Sequence, residues 1–543
     1  MTGAGPAGPT AVSEAGRGPG PSAPERGATA PDREPDAATS HGPLEGGRGV
    51  LVAAVLAVLA GTVLRFLSPA ALWLDEAQSV AIARSDLDGL FTGLRQDGSP
   101  PLYYLLLHVW IGVFGDGAVA VRALSGVFGV LALPVAWVLG RRLGGPRVAL
   151  AFTLLLASSP FAIRYSSETR MYSLLVLLAL LGAAAVTWAV RRPGPLPVVA
   201  VGLSAGALLL THYWSVYLLA AAGLVALAGL RWDRAAALRV LAGFVLAVLL
   251  FLPWVPTLRF QLAHTGTPWA AVGGLGSITT ALDAWRGGVA VLPQLLGLTL
   301  VVLAVLALVT RPFAGGARLG LSRHRGRWVL VALSLGTLVV AGVASLLTSS
   351  AVSGRYTSVA LPAFLALVAV GLVALPDRRT AAVLLVGCVL VGLGLAASAV
   401  RTPRTQADQV AEQLQAAAPG DTVVFCPDQL GPSVSRLAPA GLDLVVYPDL
   451  RPADRVDWTD YAPRNESADP VAVAAAVSAR AGDGAVWLVT SRGYRVPSEE
   501  ACEETGEALE ELRGAPGLML EPRRGAGEVM RLERFGAAAP TAP

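Results

Sequence analysis

PLYYLLLHVWIGVF, residues 101–114, is the stretch on which the reading of this chain turns. It carries no Asp, Glu, Lys or Arg, yet it is shorter than the roughly 17–25 residues that spanning a bilayer takes. Eleven longer apolar runs surround it, at about 49–68, 118–140, 146–163, 171–190, 196–211, 214–230, 236–256, 288–310, 328–348, 358–375 and 380–400. Whether 101–114 crosses decides the side of every later loop. If it lies flat, one side collects Arg141, Arg142 and Arg147, then Arg191 and Arg192, then Arg231, Arg234 and Arg239. The same side takes Arg311, Arg318, Arg323, Arg325 and Arg327, Arg378 and Arg379, and the N-terminal Arg17, Arg26, Arg33 and Arg48. If it crossed, those loops would turn outward while the basic tail stayed in, against the positive-inside rule. Residues 101–114 therefore read as an interfacial helix, with Tyr103, Tyr104 and Trp110 suited to headgroup depth.

The composition agrees. The 543 residues are 54% hydrophobic and only 15% charged, where a soluble domain carries about 25% charged residues. A water-soluble fold of this length could not bury so much apolar surface. A soluble enzyme and a disordered chain are excluded, and an α-helical polytopic membrane protein with eleven spans is expected. The net charge of +4, from 42 basic and 38 acidic residues, is small and dispersed, so no nucleic-acid partner is expected. Every basic residue is Arg, as a GC-rich coding sequence of actinobacterial type would give. No Schiff-base or Walker lysine can therefore exist. Cys388, Cys426 and Cys502 show no metal-type spacing.

Residues 1–47, rich in Gly, Pro and Ala, read as a disordered cytoplasmic tail with no cleavable signal segment. The membrane domain is expected over 48–400, with a first outer loop at 69–117. Beyond it, TVVFC (422–426), LDLVVY (442–447) and AVWLV (485–489) read as buried strands. They alternate with helical patterns at 405–418, 469–481 and 498–513. A small extracytoplasmic α/β domain is expected over 401–535, then a disordered tail at 536–543. On the outer side Cys426 and Cys502 could pair.

Polar residues gather at the outer ends of the runs: Asp75 and Glu76, Asp97, Glu168 and Arg170, His212, and Arg355 with Tyr356. Charges at the ends of apolar helices either snorkel to water or serve function. A carboxylate there can deprotonate an acceptor hydroxyl. Arginines beside it can hold a phosphate as it leaves. This set suits transfer of a group from a lipid phosphate.

Five segments carry a family resemblance: DGSPPLYYLLLHVW (97–110), VRALSGVFGVLALPVAWVLGRRLGG (121–145), SPFAIRYSSETRMYSLL (159–175), THYWSVY (211–217) and GRYTSVALPAF (354–364). With Asp75-Glu76 after the first run, the chain resembles the GT-C glycosyltransferases. Within them it is similar to the protein O-mannosyltransferase and aminoarabinose transferase superfamily, glycosyltransferase family 39 in the broad sense. The resemblance implies Asp75 as general base with Glu76 in support, and Arg170, Arg355 and Tyr356 at the donor phosphate. It implies Glu168, His212, Asp97 and Tyr103 around the substrate cavity. It implies a polyprenyl-phosphate sugar donor, a lipid, glycan or protein acceptor, and a multi-pass plasma-membrane location. No cofactor is required; a divalent metal at His212 and the carboxylates is conceivable, since some relatives bind one. Ser99 stands where the family often has His. A lipid-linked sugar transporter or flippase, or a non-catalytic scaffold presenting the outer domain, are the alternatives the residues leave open.

Overall fold

The computed structural model describes residues 3, 47–266, 274–313, 316–348, 352–494, 496–523, 525 and 527–536. The tails expected at 1–47 and 536–543 lie almost wholly outside the described residues. Residues 52–543 group as one unit, in which helices and C-terminal sheet pack together.

The apolar runs are helices. After α1 (Arg48–Leu64) come three elements of the first loop, α2 (Leu74–Arg84), α3 (Leu87–Asp97) and α4 (Leu102–Phe114). α5 (Ala118–Ser158) is broken at Gly144 and Gly145, whose φ values of −163° and +80° are not helical. It therefore serves the two runs expected at 118–140 and 146–163. α6 (Pro160–Ser166), α7 (Tyr172–Arg191), α8 (Pro195–Thr211), α9 (Ser215–Gly229) and α10 (Arg234–Phe251) follow. Next are α11 (Val255–His264), α12 (Ser277–Trp285), α13 (Val291–Val309) and a hairpin, β1 (Thr310–Phe313) with β2 (Gly316–Leu319). A π-turn at Ala332–Gly336 joins α14 (Arg325–Val331) to α15 (Thr337–Thr348). α16 (Leu361–Val373) and α17 (Arg378–Arg401) complete the helical part.

Among the described residues six stretches are long and apolar enough to cross a membrane: Ala118–Ser158, Tyr172–Arg191, Arg234–His264, Val291–Val309, Arg325–Leu347 and Arg378–Arg401. α1, α8, α9 and α16 are apolar but shorter. Close crossings rest on small residues, as in membrane helices generally. Gly371 of α16 lies against the Leu303 carbonyl of α13, and Gly61 of α1 against the Ala157 carbonyl of α5.

The first loop is held by local chemistry. Asp86 caps α3 by accepting from Gly89 N–H at 2.8 Å. Gly98, at φ +80°, ends that helix in the left-handed region. Pro100 and Pro101 stop its continuation, and α4 begins at Leu102. α4 buries Tyr103, Tyr104 and Leu107 and exposes Leu106, Val109, Val113 and Phe114, which leaves an apolar face fit for the interface.

The C-terminal part adds α18 (Ala407–Gln413), β3 (Thr422–Cys426), α19 (Gly431–Ser435), β4 (Asp443–Val446) and β5 (Arg451–Pro452). It goes on through α20 (Tyr461–Glu466), α21 (Pro470–Ala481), β6 (Val486–Thr490), α22 (Glu499–Arg513), β7 (Gly517–Leu520) and β8 (Arg531–Phe535). The sheet order is β5-β4-β3-β6-β8-β7. β3 pairs in parallel with β4 and β6 at the centre, and β5, β8 and β7 add antiparallel edges. A disulfide joins Cys426, at the end of β3, to Cys502 on α22.

This sheet domain docks on the first loop. The Gln78 side chain of α2 pairs with the Val456 backbone in both directions, at 2.8 and 2.9 Å. Leu74 packs with Val456, Trp458 and Tyr461. Trp458 N–H donates to the Gln96 carbonyl at 3.2 Å.

Candidate active site

The site forms where α2, the turn between α6 and α7, the end of α8 and the 3-10 turn Gly354–Val359 ahead of α16 meet. Asp75 lies in the first turn of α2, its side chain 17% exposed. Arg355 Nη1 donates to Asp75 Oδ2 at 2.7 Å. Arg170 Nε lies 3.9 Å from the same oxygen, and Arg170 Nη1 reaches the Asp75 carbonyl at 3.3 Å. Two guanidinia from separate elements therefore converge on one carboxylate.

Each arginine is braced. Arg170 donates to Ser79 Oγ at 2.9 Å and to Tyr104 Oη at 3.2 Å. Ser79 follows Asp75 by one helical turn, so both sit on one face of α2. Ser125 Oγ donates to the Arg170 carbonyl at 3.0 Å. The Arg355 guanidinium lies 5.8 Å from the Trp73 ring centre and 5.7 Å from that of Tyr356, within cation–π range. Burial lowers the affinity of both arginines for the proton. Tyr104 and Asp75 around Arg170, and Asp75 and Tyr172 around Arg355, outweigh it, and both stay charged.

Glu76 points elsewhere. It is fully buried and takes a bidentate bond from Arg122, at 2.7 and 2.5 Å. Thr169 N–H adds a bond at 2.9 Å, and Arg404 Nη1 stands 3.7 Å away. Its oxygens are committed to tying α2 to α5, to the turn before α7 and to the C-terminal domain.

The other expected residues divide. Asp97 joins through Tyr104, whose hydroxyl donates to Asp97 Oδ2 at 3.0 Å, and through Gln78, at 3.3 Å. Glu168 accepts from Trp73 Nε1 at 2.7 Å, and so fixes the ring beside Arg355. Tyr356 packs on His212, ring centres 4.9 Å apart, and on Trp214 at 5.8 Å. Tyr103 does not reach Asp75: it is fully buried, with its hydroxyl 3.0 Å from Ser125 Oγ. It backs Arg170 through that serine, while Tyr104 is the tyrosine that touches the arginine.

His212 accepts from Trp214 N–H at Nδ1, 3.1 Å. Burial, with the charges of Arg170 and Arg355, pushes the imidazole down to about 3. It is a neutral group facing cations rather than carboxylates. Among the described residues no three of His, Cys, Asp and Glu gather closely enough to hold a metal ion.

Sequence reasoning missed Trp73, Gln78, Ser79, Arg122, Arg404 and Glu528. Ser79 could have been found from its spacing to Asp75 on a helix. Arg122 lies in the VRALSG segment but bears no mark of its partner. Glu528, whose Oε1 accepts from Leu74 N–H at 2.8 Å across 454 positions, leaves no local signal.

Residues 98–256 match the family model described as dolichyl-phosphate-mannose-protein mannosyltransferase. That segment holds Tyr103, Glu168, Arg170 and His212 and stops short of Asp75 and Arg355. No curated protein matches the chain's sequence. Among solved structures, ArnT from Cupriavidus metallidurans bound to undecaprenyl phosphate superposes with TM-score 0.60 at 14% identity, covering 91% of this chain and 100% of its own. The apo state of that protein gives 0.58 at 15%, covering 91% and 99%. The Archaeoglobus fulgidus oligosaccharyltransferase gives 0.52 at 14%, covering 81% of this chain and 67% of its own. The fold is thus similar to that of ArnT and of the archaeal oligosaccharyltransferase over most of the chain, with a mannosyltransferase-like segment at residues 98–256 inside it.

Proposed function

We propose that the chain is an integral-membrane glycosyltransferase. It moves a sugar from a polyprenyl-phosphate-linked donor to a hydroxyl on a lipid, glycan or protein acceptor. The observation that carries this reading is the convergence of Arg170 and Arg355 on the Asp75 carboxylate, beside an aromatic wall at the end of the helices. The ArnT structure with undecaprenyl phosphate supports the donor class.

The chemistry needs one base and one anion clamp. A phosphate entering between the two guanidinia takes their hydrogen bonds and frees Asp75 for the acceptor. Asp75 removes the hydroxyl proton as the acceptor oxygen forms its bond to the anomeric carbon. The bond from that carbon to the phosphate oxygen breaks, and the lipid phosphate leaves as an anion that the arginines neutralise. No acid is needed for this leaving group. Glu76 acts as a positioning residue, since its oxygens already serve Arg122 and Thr169.

The reaction is placed on the extracytoplasmic face of the plasma membrane, with eleven spans, the N-terminus inside and the sheet domain outside. The arginine excess of the loops on one side supports that sidedness. The Cys426–Cys502 disulfide supports it too, since such bonds persist in oxidising compartments.

The test is Asp75→Asn. Purified protein is offered a panel of radiolabelled polyprenyl-phosphate sugars with a membrane extract as acceptor source. Loss of the base should cut transfer by roughly 10²–10⁴-fold while the variant inserts and folds as the wild type does. Undiminished transfer would remove Asp75 from the role of base.

A further inference from the structure

The helix that carries Asp75 has no cap of its own. The residue before α2 is Trp73, whose side chain makes no capping bond. A helix start leaves its first N–H groups without intrahelical partners. Here the Glu76 and Ala77 N–H groups turn back to the Trp73 carbonyl, at 3.0 and 2.9 Å. The Leu74 N–H is instead taken by Glu528 Oε1 at 2.8 Å, from the far end of the C-terminal domain. Glu528 is 6% exposed; burial, with the charges of Asp75 and Glu76, pushes its carboxyl up to about 8, so what it offers α2 is a hydrogen-bond acceptor at an open N–H rather than a full charge.

Glu528 is not a loose surface group. Its backbone is laddered to the chain leaving α17: Glu528 N–H donates to the Arg404 carbonyl at 2.8 Å, and Gln406 N–H to the Glu528 carbonyl at 3.1 Å. Gly527 lies so close to the Arg404 carbonyl that a Cβ there would approach it to 2.6 Å. Two residues further on, Met530 is fully buried in the sheet domain, its N–H bonded to Gln406 Oε1 at 2.9 Å.

The segment that Glu528 pairs with also reaches the site. Arg404 donates to the Ser167 carbonyl and hydroxyl, both at 3.1 Å, and stands 3.7 Å from Glu76 Oε2. The two residues flanking Asp75 thus both meet one isolated β-bridge, that of Thr405 with Glu528: Leu74 is bonded to Glu528, and Glu76 has the Arg404 charge 3.7 Å away. Asp75 is left free to face Arg355 and Arg170.

We propose that Glu528 is a positioning residue of the active site: as a cap supplied by the C-terminal domain to α2, it sets the orientation in which Asp75 meets its arginines and the acceptor. The proposal rests on the reading of Asp75 as base. It assigns the outer domain a part in building the catalytic site.

The experiment uses the full chain in detergent or nanodiscs, with Glu528→Ala and Glu528→Gln. The amide keeps a carbonyl oxygen able to accept from Leu74 N–H; alanine does not. Hydrogen exchange is read by mass spectrometry on the peptide covering residues 72–80, with the β3 peptide as a folding control. Steady-state transfer is measured with the labelled polyprenyl-phosphate sugar that the wild type accepts, and binding with labelled undecaprenyl phosphate. Glu528→Ala should speed exchange in 72–80 with β3 unchanged. It should lower kcat by roughly 10- to 100-fold, the cost of a misplaced catalytic group, with donor KM and undecaprenyl phosphate binding within about 2-fold, as for an interaction made only in the transition state. Glu528→Gln should restore both exchange and kcat to near wild type. Wild-type exchange and kcat in Glu528→Ala would overturn the proposal, as would equal losses in both variants. If Glu528→Ala also loses protection at β3, Glu528→Asp, which shortens the reach by one methylene, is read in the same way. If the wild type transfers no sugar from any donor, the functional reading fails by itself, and the exchange difference still reports whether Glu528 holds α2.

Discussion

Asp75 and Glu76 are neighbours in sequence with opposite assignments in space. Asp75 meets guanidinia at a partly open site, while Glu76 is fully buried between Arg122, Arg404 and the Thr169 N–H. Burial pushes the Glu76 carboxyl up, but the Arg122 bond and charge, the charge of Arg404 and the Thr169 bond outweigh it, and it is held below its usual value. It therefore contributes stability above the unfolded-state pKa, and that contribution is lost as pH falls through the folded value. Removing the charge strands two buried arginines, and breaking a buried pair in this way costs about 3–5 kcal/mol. Glu76→Gln should accordingly lower the thermal midpoint of the detergent-solubilised protein and its folded yield. Asp75→Asn, at a site where Asp75 and Arg355 are 17% and 20% exposed and water can reach the arginines, should melt close to the wild type. Equal midpoints for the two variants would contradict the division between a held acid and a working one.

The elements were legible where burial is one-sided in cause. Apolar runs longer than a turn of charge-free sequence became helices because nothing else satisfies backbone groups in an apolar medium. The central strands β3, β4 and β6 were visible because parallel strands buried on both faces read as continuous apolar runs. β5 has two residues, and β8, RLERF, mixes charge into its alternation, so neither stands out from a loop. α2 was hidden for another reason: with Trp73 before it and its cap 454 positions away, no capping side chain marks its start, and the acids of its first turn, Asp75 and Glu76, read equally well as site residues. Crossing geometry was equally silent, since a glycine in an apolar run does not announce its neighbour. Gly371 of α16 meets the Leu303 carbonyl of α13, whereas Gly387 of α17 has nothing within 4 Å of a Cβ. Gly371→Val should force the two helices apart and cost about 1–3 kcal/mol or more, as overpacking does. Gly387→Val should be silent. Thermal melts of the two variants side by side check this, and a silent Gly371→Val would mean that the α13–α16 contact does not limit stability.

At the scale of the molecule, the site was readable because helix ends share a plane. Arg170, His212 and Arg355 are scattered over the sequence, yet each lies at the end of an apolar helix, and α2 of the first loop brings Asp75 to the same place. Arg404 and Glu528 come from a domain whose docking no periodicity encodes, and they were not readable. The same geometry sets a test of sidedness. α7 starts at Tyr172, two residues after Arg170, and ends at Arg191. Its 20 residues at 1.5 Å each make about 30 Å, the thickness of the hydrocarbon core. Arg192 therefore lies a bilayer away from the site, while Asp483 is exposed on the sheet domain. Native thiols interfere little: Cys388 is buried and Cys426 is paired with Cys502. With a membrane-impermeant maleimide on intact cells, Asp483→Cys should label at once, and Arg192→Cys only after permeabilisation. The reverse pattern would turn the protein over in the membrane and move the proposed chemistry to the cytoplasmic face. Labelling of both from outside would mean that α7 does not cross, and would undo the charge argument that began with residues 101–114.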